Sequence, residues 1–152
     1  MSTIVINSIM KNPSLGDGPG YRTVLFLQGC NIFCNKCQNV ETWDITCGNS
    51  IEIKELAELL RKKCFNKKLT ISGGEPLMQI KELKELLELI KDFDICLYTG
   101  YELEEVPSEI LKYLKYIKVG PFIWKERTTT MPFVGSKNQK FLEVNNEKSE
   151  SE

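Results

Sequence analysis

The chain alternates between short apolar segments and longer segments whose apolar residues recur at helical spacing. The short segments predict strands at 3–9, 23–28, 68–72, 95–99, 116–119 and 140–144. Three helical faces are predicted between these strands, from the spacing of Ile53, Leu56, Ala57 and Leu60, of Leu83, Leu86, Leu87 and Ile90, and of Ile110, Leu111 and Leu114. Asn49 followed by Glu52 predicts an N-terminal cap for the first of these helices.

Strands that alternate with helices imply right-handed βαβ units and a mainly parallel sheet. The strands are apolar along most of their length, as expected when helices cover a sheet or when the sheet closes on itself. There are too few units for a full eight-stranded barrel. The pattern therefore predicts an α/β fold built as a partial, open β/α barrel of four to six strands. One domain is expected over 1–144, followed by a polar, disordered tail at 145–152.

Composition and charge narrow the function classes. The 152 residues include 20 basic and 21 acidic side chains and no histidine, which gives a net charge of -1. This balance does not suggest a surface for nucleic acid or for an anionic membrane. No apolar run approaches the roughly 18 residues of a membrane-spanning helix, and the N-terminus has no signal-type pattern. We therefore expect a cytoplasmic protein.

Three of the six cysteines, Cys30, Cys34 and Cys37, fall within eight residues of the segment GCNIFCNKCQN. In a cytoplasmic chain such a tight cluster is typical of metal binding rather than of disulfides. Cys64 and Cys96 lie in predicted helix and strand segments, and they are interpreted as packing residues.

Two kinds of metal site fit this spacing. A cubane iron–sulfur cluster held by three thiolates has one iron left open, and an open coordination position can bind a small chelating ligand. Alternatively, Cys47 completes a structural zinc site with four thiolates. Unrelated thiols are a third possibility, and the spacing alone leaves all three open.

The segment SGGEP, Ser72–Pro76, follows the predicted strand 68–72. It is therefore expected at the carboxyl end of a parallel strand, where ligands bind in α/β folds. Paired glycines allow a ligand to approach the backbone closely. The alternative is a plain turn between strand and helix, in which Pro76 begins the helix.

Together, GCNIFCNKCQN and SGGEP resemble the radical S-adenosylmethionine superfamily. Two further segments resemble activating enzymes of glycyl-radical enzymes. They are DGPGYRTVLFLQGC, which ends at Cys30, and TWD, which follows the cysteine cluster. YTGY at 98–101, GPF at 120–122 and GSKNQ at 135–139 resemble the activators of anaerobic ribonucleoside-triphosphate reductase. The resemblance covers about residues 5 to 144 and implies the partial barrel of this superfamily.

The resemblance implies a set of site residues. The ligands of a [4Fe–4S] cluster would be Cys30, Cys34 and Cys37. The pocket for the methionyl end of S-adenosylmethionine would be lined by Gly73, Gly74, Glu75 and Pro76. The backbones of Lys36 and Gln38, on either side of the third cysteine, are also expected to touch this cofactor.

The resemblance also implies an activity. The reduced cluster would cleave S-adenosylmethionine into methionine and a 5′-deoxyadenosyl radical. The radical would take a hydrogen atom from a glycine in the glycyl-radical subunit of anaerobic ribonucleoside-triphosphate reductase. A flavodoxin- or ferredoxin-type protein would donate the electron. The alternatives are an activase of the pyruvate formate-lyase type, a small-molecule radical enzyme that makes deazapurines, and a zinc-stabilised binding module.

Two further features have open interpretations. Arg22 either reaches the partner or a carboxylate near the site, or lies at a surface strand edge. The segment 121–135, with Phe122, Trp124 and Phe133, either docks the reductase or closes the core.

Overall fold

The computed structural model describes residues 2–10, 18–29, 48–131 and 133–144. These residues form a seven-stranded sheet whose strand order is β3-β1-β2-β4-β5-β6-β7. The strands are β1 Thr3–Ile9, β2 Thr23–Leu27, β3 Asn49–Glu52, β4 Lys68–Gly73, β5 Asp94–Tyr98, β6 Tyr116–Val119 and β7 Lys140–Glu143. Strands β2, β4, β5 and β6 run parallel to their neighbours in this group, and the outer pairings are antiparallel.

The predicted fold class is confirmed, because the centre of the sheet is parallel and its outermost strands do not pair with each other. The helices α1 Ile53–Lys63, α2 Ile80–Leu89 and α3 Ser108–Leu111 connect successive strands from β3 to β6. The predicted tail at 145–152 lies outside the described residues.

The helices pack on one face of the sheet and form the core with it. Alternate strand residues such as Leu25, Ile71, Leu97 and Ile117 are fully buried against the helices. The first two predicted helical faces are buried in this core. Of the third, Ile110 and Leu114 are buried and Leu111 is partly buried, but α3 ends at Leu111, so Leu114 lies beyond the helix. Burial of each large aliphatic side chain contributes about 1.5–3 kcal/mol, so this layer supplies most of the stability of the fold.

The intervening strand residues point to the opposite side of the sheet, because side chains alternate along a strand. We call this side the open face and define it by Phe26, Thr70, Cys96, Tyr98 and Lys118. None of the three helices described above packs on the open face.

The predicted cap at Asn49 is wrong, because Asn49–Glu52 is the edge strand β3. It pairs antiparallel with β1, and Ile51 lies opposite Ile4 and packs against the core. Helix α1 begins only at Ile53, without a side-chain cap. Since a cap hydrogen bond contributes about 1 kcal/mol, a ladder of backbone hydrogen bonds and a packed isoleucine outweigh it. This strand explains why the sheet has seven strands rather than four to six.

Both interpretations of Arg22 are also wrong. Its side chain is fully buried and forms an ion pair with Asp94, at 2.7 Å. The guanidinium also donates hydrogen bonds to Thr70 Oγ1 and to the carbonyl oxygens of Pro19, Leu69 and Asp94. Leu69 and Asp94 lie at the beginnings of β4 and β5, so Arg22 stabilises the amino edge of the sheet, at the end opposite SGGEP.

Within the part of the chain that the structure describes, no helix has the length and apolar character needed to cross a membrane.

Substitution of Arg22 tests the structure of the amino edge. We expect Arg22→Met to lower the free energy of unfolding by about 3 kcal/mol, because it leaves Asp94 and three carbonyl oxygens without their donor. The measurement is equilibrium urea unfolding. Arg61→Met is the matched control, because Arg61 pairs with Asp92 at 2.8 Å with both side chains more than 40% exposed. The control is expected to cost less than about 1 kcal/mol. Equal losses in the two variants would contradict the buried role of Arg22.

Candidate functional site

The SGGEP turn lies at the carboxyl end of β4, as predicted. Gly73 is the last residue of the strand and has a φ of 116°, which favours glycine. A Cβ atom on Gly73 would collide with the backbone oxygen and nitrogen of Leu27. The main reason for glycine at position 73 is therefore the close approach of β4 to β2. Pro76 begins a short 3₁₀ helix, Pro76–Gln79, which leads into α2.

The carboxylate of Glu75 links the turn to the end of β5. Its side chain is only 1% exposed. The two carboxylate oxygens accept hydrogen bonds from the backbone N–H of Leu77 at 3.0 Å, the hydroxyl of Thr99 at 2.7 Å and the N–H of Gly100 at 2.7 Å. Burial raises the pKa of Glu75, and the hydrogen bonds from Gly100, Thr99 and Leu77 oppose this shift.

The same turn is fastened to the residue that precedes the cysteine segment. The N–H of Glu75 donates to the carbonyl oxygen of Gly29 at 2.7 Å, and the N–H of Gly74 donates to that of Leu27 at 3.2 Å. Gly29 immediately precedes Cys30 in the sequence. The cysteine segment thus begins beside SGGEP, as a shared ligand site requires.

Several predicted site residues fall in a part of the chain that the structure does not describe. They are Cys30, Cys34, Lys36, Cys37, Gln38 and Cys47, all within 30–47. Their assignment as ligands or pocket residues therefore stays a prediction. The described residues supply the neighbourhood into which that segment leads.

The YTGY segment at 98–101 is joined to GPF at 120–122. The N–H of Thr99 donates to the carbonyl oxygen of Lys118 at 3.0 Å, and the N–H of Gly120 donates to that of Tyr101 at 2.8 Å. The Thr99 hydroxyl also accepts a hydrogen bond from the N–H of Tyr101 at 3.2 Å. The ends of β5 and β6 are therefore held in one arrangement by their following turns.

The GSKNQ segment fastens GPF from the other side. Gln139 is 5% exposed. Its amide donates to the carbonyl oxygen of Gly120 at 3.0 Å and accepts from the N–H groups of Gly135 and Ser136. Asn138 donates to the carbonyl oxygen of Pro121 at 2.8 Å. Segments far apart in the sequence thus form one hydrogen-bonded series, which we call the carboxyl-edge network and define by Gly29, Glu75, Thr99, Gly120 and Gln139.

Sequence reasoning missed two polar residues that support this edge. Thr99 lies within the YTGY motif, which predicts no role for it, but its hydroxyl donates to the buried Glu75 carboxylate. Gln79 is 6% exposed, and its amide exchanges two hydrogen bonds of 2.8 Å with the backbone of Val5 and donates to the carbonyl oxygen of Gln28. The available signal was a polar side chain next to an apolar strand or helix face.

Two aromatic residues of the segment 121–135, Phe122 and Phe133, are partly buried. Phe133 packs against Phe141 with ring centroids 4.9 Å apart. The side chain of Trp124 is not among those that the structure describes. The contact with Phe141 supports closure of the fold at this point, and docking of a partner here stays a prediction.

The packing role of two cysteines is confirmed. Cys64 and Cys96 are free and buried. Burial raises the pKa of Cys96 to about 12 and also raises the pKa of Cys64. Both are therefore neutral thiols at physiological pH, and neither is a ready nucleophile.

Comparison with known proteins identifies related chains. Residues 16–142 match the family model described as a 4Fe-4S single cluster domain. The chain is 37% identical over 134 residues to the anaerobic ribonucleoside-triphosphate reductase-activating protein of Enterobacteria phage T4, with 82% of this chain and 85% of that protein covered. It is 41% identical over 96 residues to the pyruvate formate-lyase-activating enzyme of Clostridium pasteurianum, covering 59% of this chain and 40% of that enzyme.

A solved structure has the same fold. The crystal structure of QueE from Escherichia coli aligns with a TM-score of 0.57 at 19% identity, covering 76% of this chain and 70% of that one. At this identity the likeness concerns the fold alone. The family match favours an iron–sulfur cluster over the zinc site considered for the four cysteines.

The buried carboxyl of Glu75 makes a pH-dependent contribution to stability. Because its pKa is raised in the folded protein, the folded chain keeps a proton that the unfolded chain loses above about pH 4.3. We therefore expect stability to fall as the pH rises from that value until the carboxyl ionises in the folded state. Glu75→Gln should remove this contribution, so the variant should gain stability relative to the parent as the pH rises.

The measurement is urea unfolding of both proteins from pH 4.5 to 7.5. Glu104→Gln, at an exposed position, is the control, and we expect no such trend for it. If the free energies of unfolding of the parent and of Glu75→Gln differed by a constant amount across this range, the raised pKa of Glu75 would be contradicted.

Proposed function

We propose a function for this chain from one premise, which is that it belongs to the family of anaerobic ribonucleoside-triphosphate reductase-activating proteins. It is an activating enzyme of the radical S-adenosylmethionine type, and its cofactors are a [4Fe–4S] cluster and S-adenosylmethionine. Its substrate is a glycine residue of an anaerobic ribonucleoside-triphosphate reductase. The observation that carries this proposal is the hydrogen bond from Glu75 to Gly29, which joins the SGGEP turn to the start of the cysteine segment.

The proposed cluster ligands are Cys30, Cys34 and Cys37. The cluster and S-adenosylmethionine together supply the radical chemistry, by one-electron cleavage of a carbon–sulfur bond of the sulfonium. The proposed pocket for the methionyl end comprises Gly73, Gly74, Glu75 and Pro76, with the backbones of Lys36 and Gln38.

The described residues fit this pocket in two respects. Three of them, Gly29, Glu75 and Thr99, lie in one hydrogen-bonded series at the carboxyl edge, where parallel α/β sheets bind ligands. The buried carboxylate of Glu75 also creates a negative environment that favours the cationic groups of S-adenosylmethionine. Fixed hydrogen bonds hold this environment in place before the ligand binds, which lowers the cost of ordering it.

Hydrogen-atom abstraction from glycine requires no general base. The chain contains no histidine, and this composition agrees with a protein whose task is to position cofactors and target. The glycyl-radical subunit of the reductase is the proposed partner, with 121–135 as its docking segment. A flavodoxin- or ferredoxin-type protein is the proposed electron donor, and the cytoplasm is the proposed location.

An activase of the pyruvate formate-lyase type is the second candidate. It is favoured by the 41% identity of a 96-residue segment to such an enzyme. That enzyme is much longer than the matched segment, whereas 85% of the phage activator is covered. The match to the phage activator extends over 82% of this chain and the match to the lyase-activating enzyme over 59%, which favours the reductase as the target.

The direct test is the formation of a glycyl radical on the target. The reduced holoenzyme, S-adenosylmethionine and a candidate anaerobic reductase are incubated together and examined by electron paramagnetic resonance. We expect the spin signal of a glycyl radical on the reductase and none on a pyruvate formate-lyase treated in the same way. A signal on the lyase alone would replace the proposed target with the second candidate.

Removal of a cysteine tests the ligand assignment. We expect Cys34→Ala to abolish both cluster incorporation and cleavage of S-adenosylmethionine, because the cluster loses one of its three thiolates. Cys96→Ala is the matched control, because Cys96 is a buried packing residue, and it should alter stability alone. Iron content and methionine release are measured in both variants. Full iron content in Cys34→Ala would refute the assignment.

A further inference from the structure

Lys118 is a charged residue within the parallel strand β6. It lies in β6 between Ile117 and Val119, both of which are buried in the core. Because side chains alternate along a strand, Lys118 projects onto the open face. Among the strand residues described at the carboxyl end of this face, Lys118 is the cationic one.

The side chain of Lys118 leans across the sheet toward β5. Tyr98 is its neighbour on β5 in the strand register, and the ammonium of Lys118 lies 4.2 Å from the centroid of the Tyr98 ring. The ring holds the ammonium over β5, between β6 and the SGGEP turn. The charge of Lys118 also acts on the Glu75 carboxyl and favours its ionised form, which lowers its pKa. Lys118 and Glu75 therefore face the same part of the carboxyl edge with opposite charges.

The ligand assigned to this edge has matching chemistry. The methionyl end of S-adenosylmethionine is an amino acid, so it carries a carboxylate beside its ammonium. A carboxylate in a partly buried site requires a cation or several N–H donors. The Glu75 side of the edge is suited to the ammonium, and the Lys118 cation, held over the Tyr98 ring at the end of the neighbouring strand β5, is suited to the carboxylate.

We propose that Lys118 binds the carboxylate of S-adenosylmethionine, with the ring of Tyr98 holding the ammonium in position. The inference rests on the proposed function and adds a specific contact to it. Lys118 is a binding and positioning residue in this account, since it fixes the methionyl end without taking part in bond cleavage.

The overall charge of the ligand makes the test decisive. S-adenosylmethionine has two positive groups and one negative group, so it is a net cation. A lysine near it that did not touch the carboxylate would repel it, and removal of that lysine would leave binding unchanged or tighten it. Contact with the carboxylate is the charge interaction that makes loss of the lysine unfavourable, and Lys118→Glu should then weaken binding more than Lys118→Met.

The experiment measures the dissociation constant of S-adenosylmethionine for the anaerobically reconstituted full chain, by equilibrium dialysis with the cluster oxidised so that no cleavage occurs. We expect Lys118→Met to weaken binding about tenfold or more and Lys118→Glu to weaken it further. Lys118→Arg keeps the cation and should stay within about threefold of the parent. Iron content and thermal unfolding confirm that each variant folds and carries its cluster.

The control is the same series at Lys140, which is exposed on β7 opposite Val119. Lys140→Met and Lys140→Glu should leave the dissociation constant within about twofold. Unchanged or tighter binding by Lys118→Met, or binding by Lys118→Glu as tight as by Lys118→Met, would overturn the contact with the carboxylate. A parent holoenzyme that binds no S-adenosylmethionine would instead overturn the proposed function, and this inference with it.

Discussion

The buried carboxylate of Glu75 is the interaction on which the arrangement of the carboxyl edge depends. It accepts three hydrogen bonds from the turns after β4 and β5. Removing a carboxylate from water is unfavourable unless its oxygens are paired, so the donors that surround it are a requirement of the fold. Through the N–H of Glu75 the same turn holds Gly29. One residue therefore fixes the positions of Gly29, the SGGEP turn and the YTGY turn relative to one another.

The rest of the network extends this constraint across the sheet. Gly120 is held by Tyr101 on one side and by Gln139 on the other. The helices cover the opposite face and bury the aliphatic core. Stability is thus concentrated on the helical side and at the amino edge, where Arg22 is buried. The open face and the carboxyl edge carry the polar groups suited to a ligand. This division is typical of parallel α/β folds, in which the scaffold and the site occupy different parts of the sheet.

Much of this arrangement could be predicted from the sequence because it depends on local periodicity. The spacing of Leu83, Leu86 and Leu87 gave α2, and the position of SGGEP after an apolar strand placed it at the carboxyl edge. Strand β3 could not be predicted in this way, because four residues at a sheet edge carry no distinctive period. Its existence depends on pairing with β1, more than 40 residues earlier in the chain.

The buried polar contacts could not be predicted from the sequence either. Arg22 next to a strand has the sequence signature of a surface residue, and its burial depends on Asp94, which is 72 positions away. Glu75 lies within the SGGEP motif, but its partners Thr99 and Gly100 lie 24 and 25 positions later. Such contacts follow from the tertiary arrangement of strands, which no local pattern specifies.

Hydrogen–deuterium exchange of the reconstituted holoenzyme, with and without S-adenosylmethionine, tests most directly whether the carboxyl edge is the ligand site. The account predicts that the ligand slows exchange in the segments 73–77, 98–101 and 118–120, and that it leaves the amino edge around Arg22 and Asp94 unchanged. Slowing confined to the amino edge or to the helical face would contradict it.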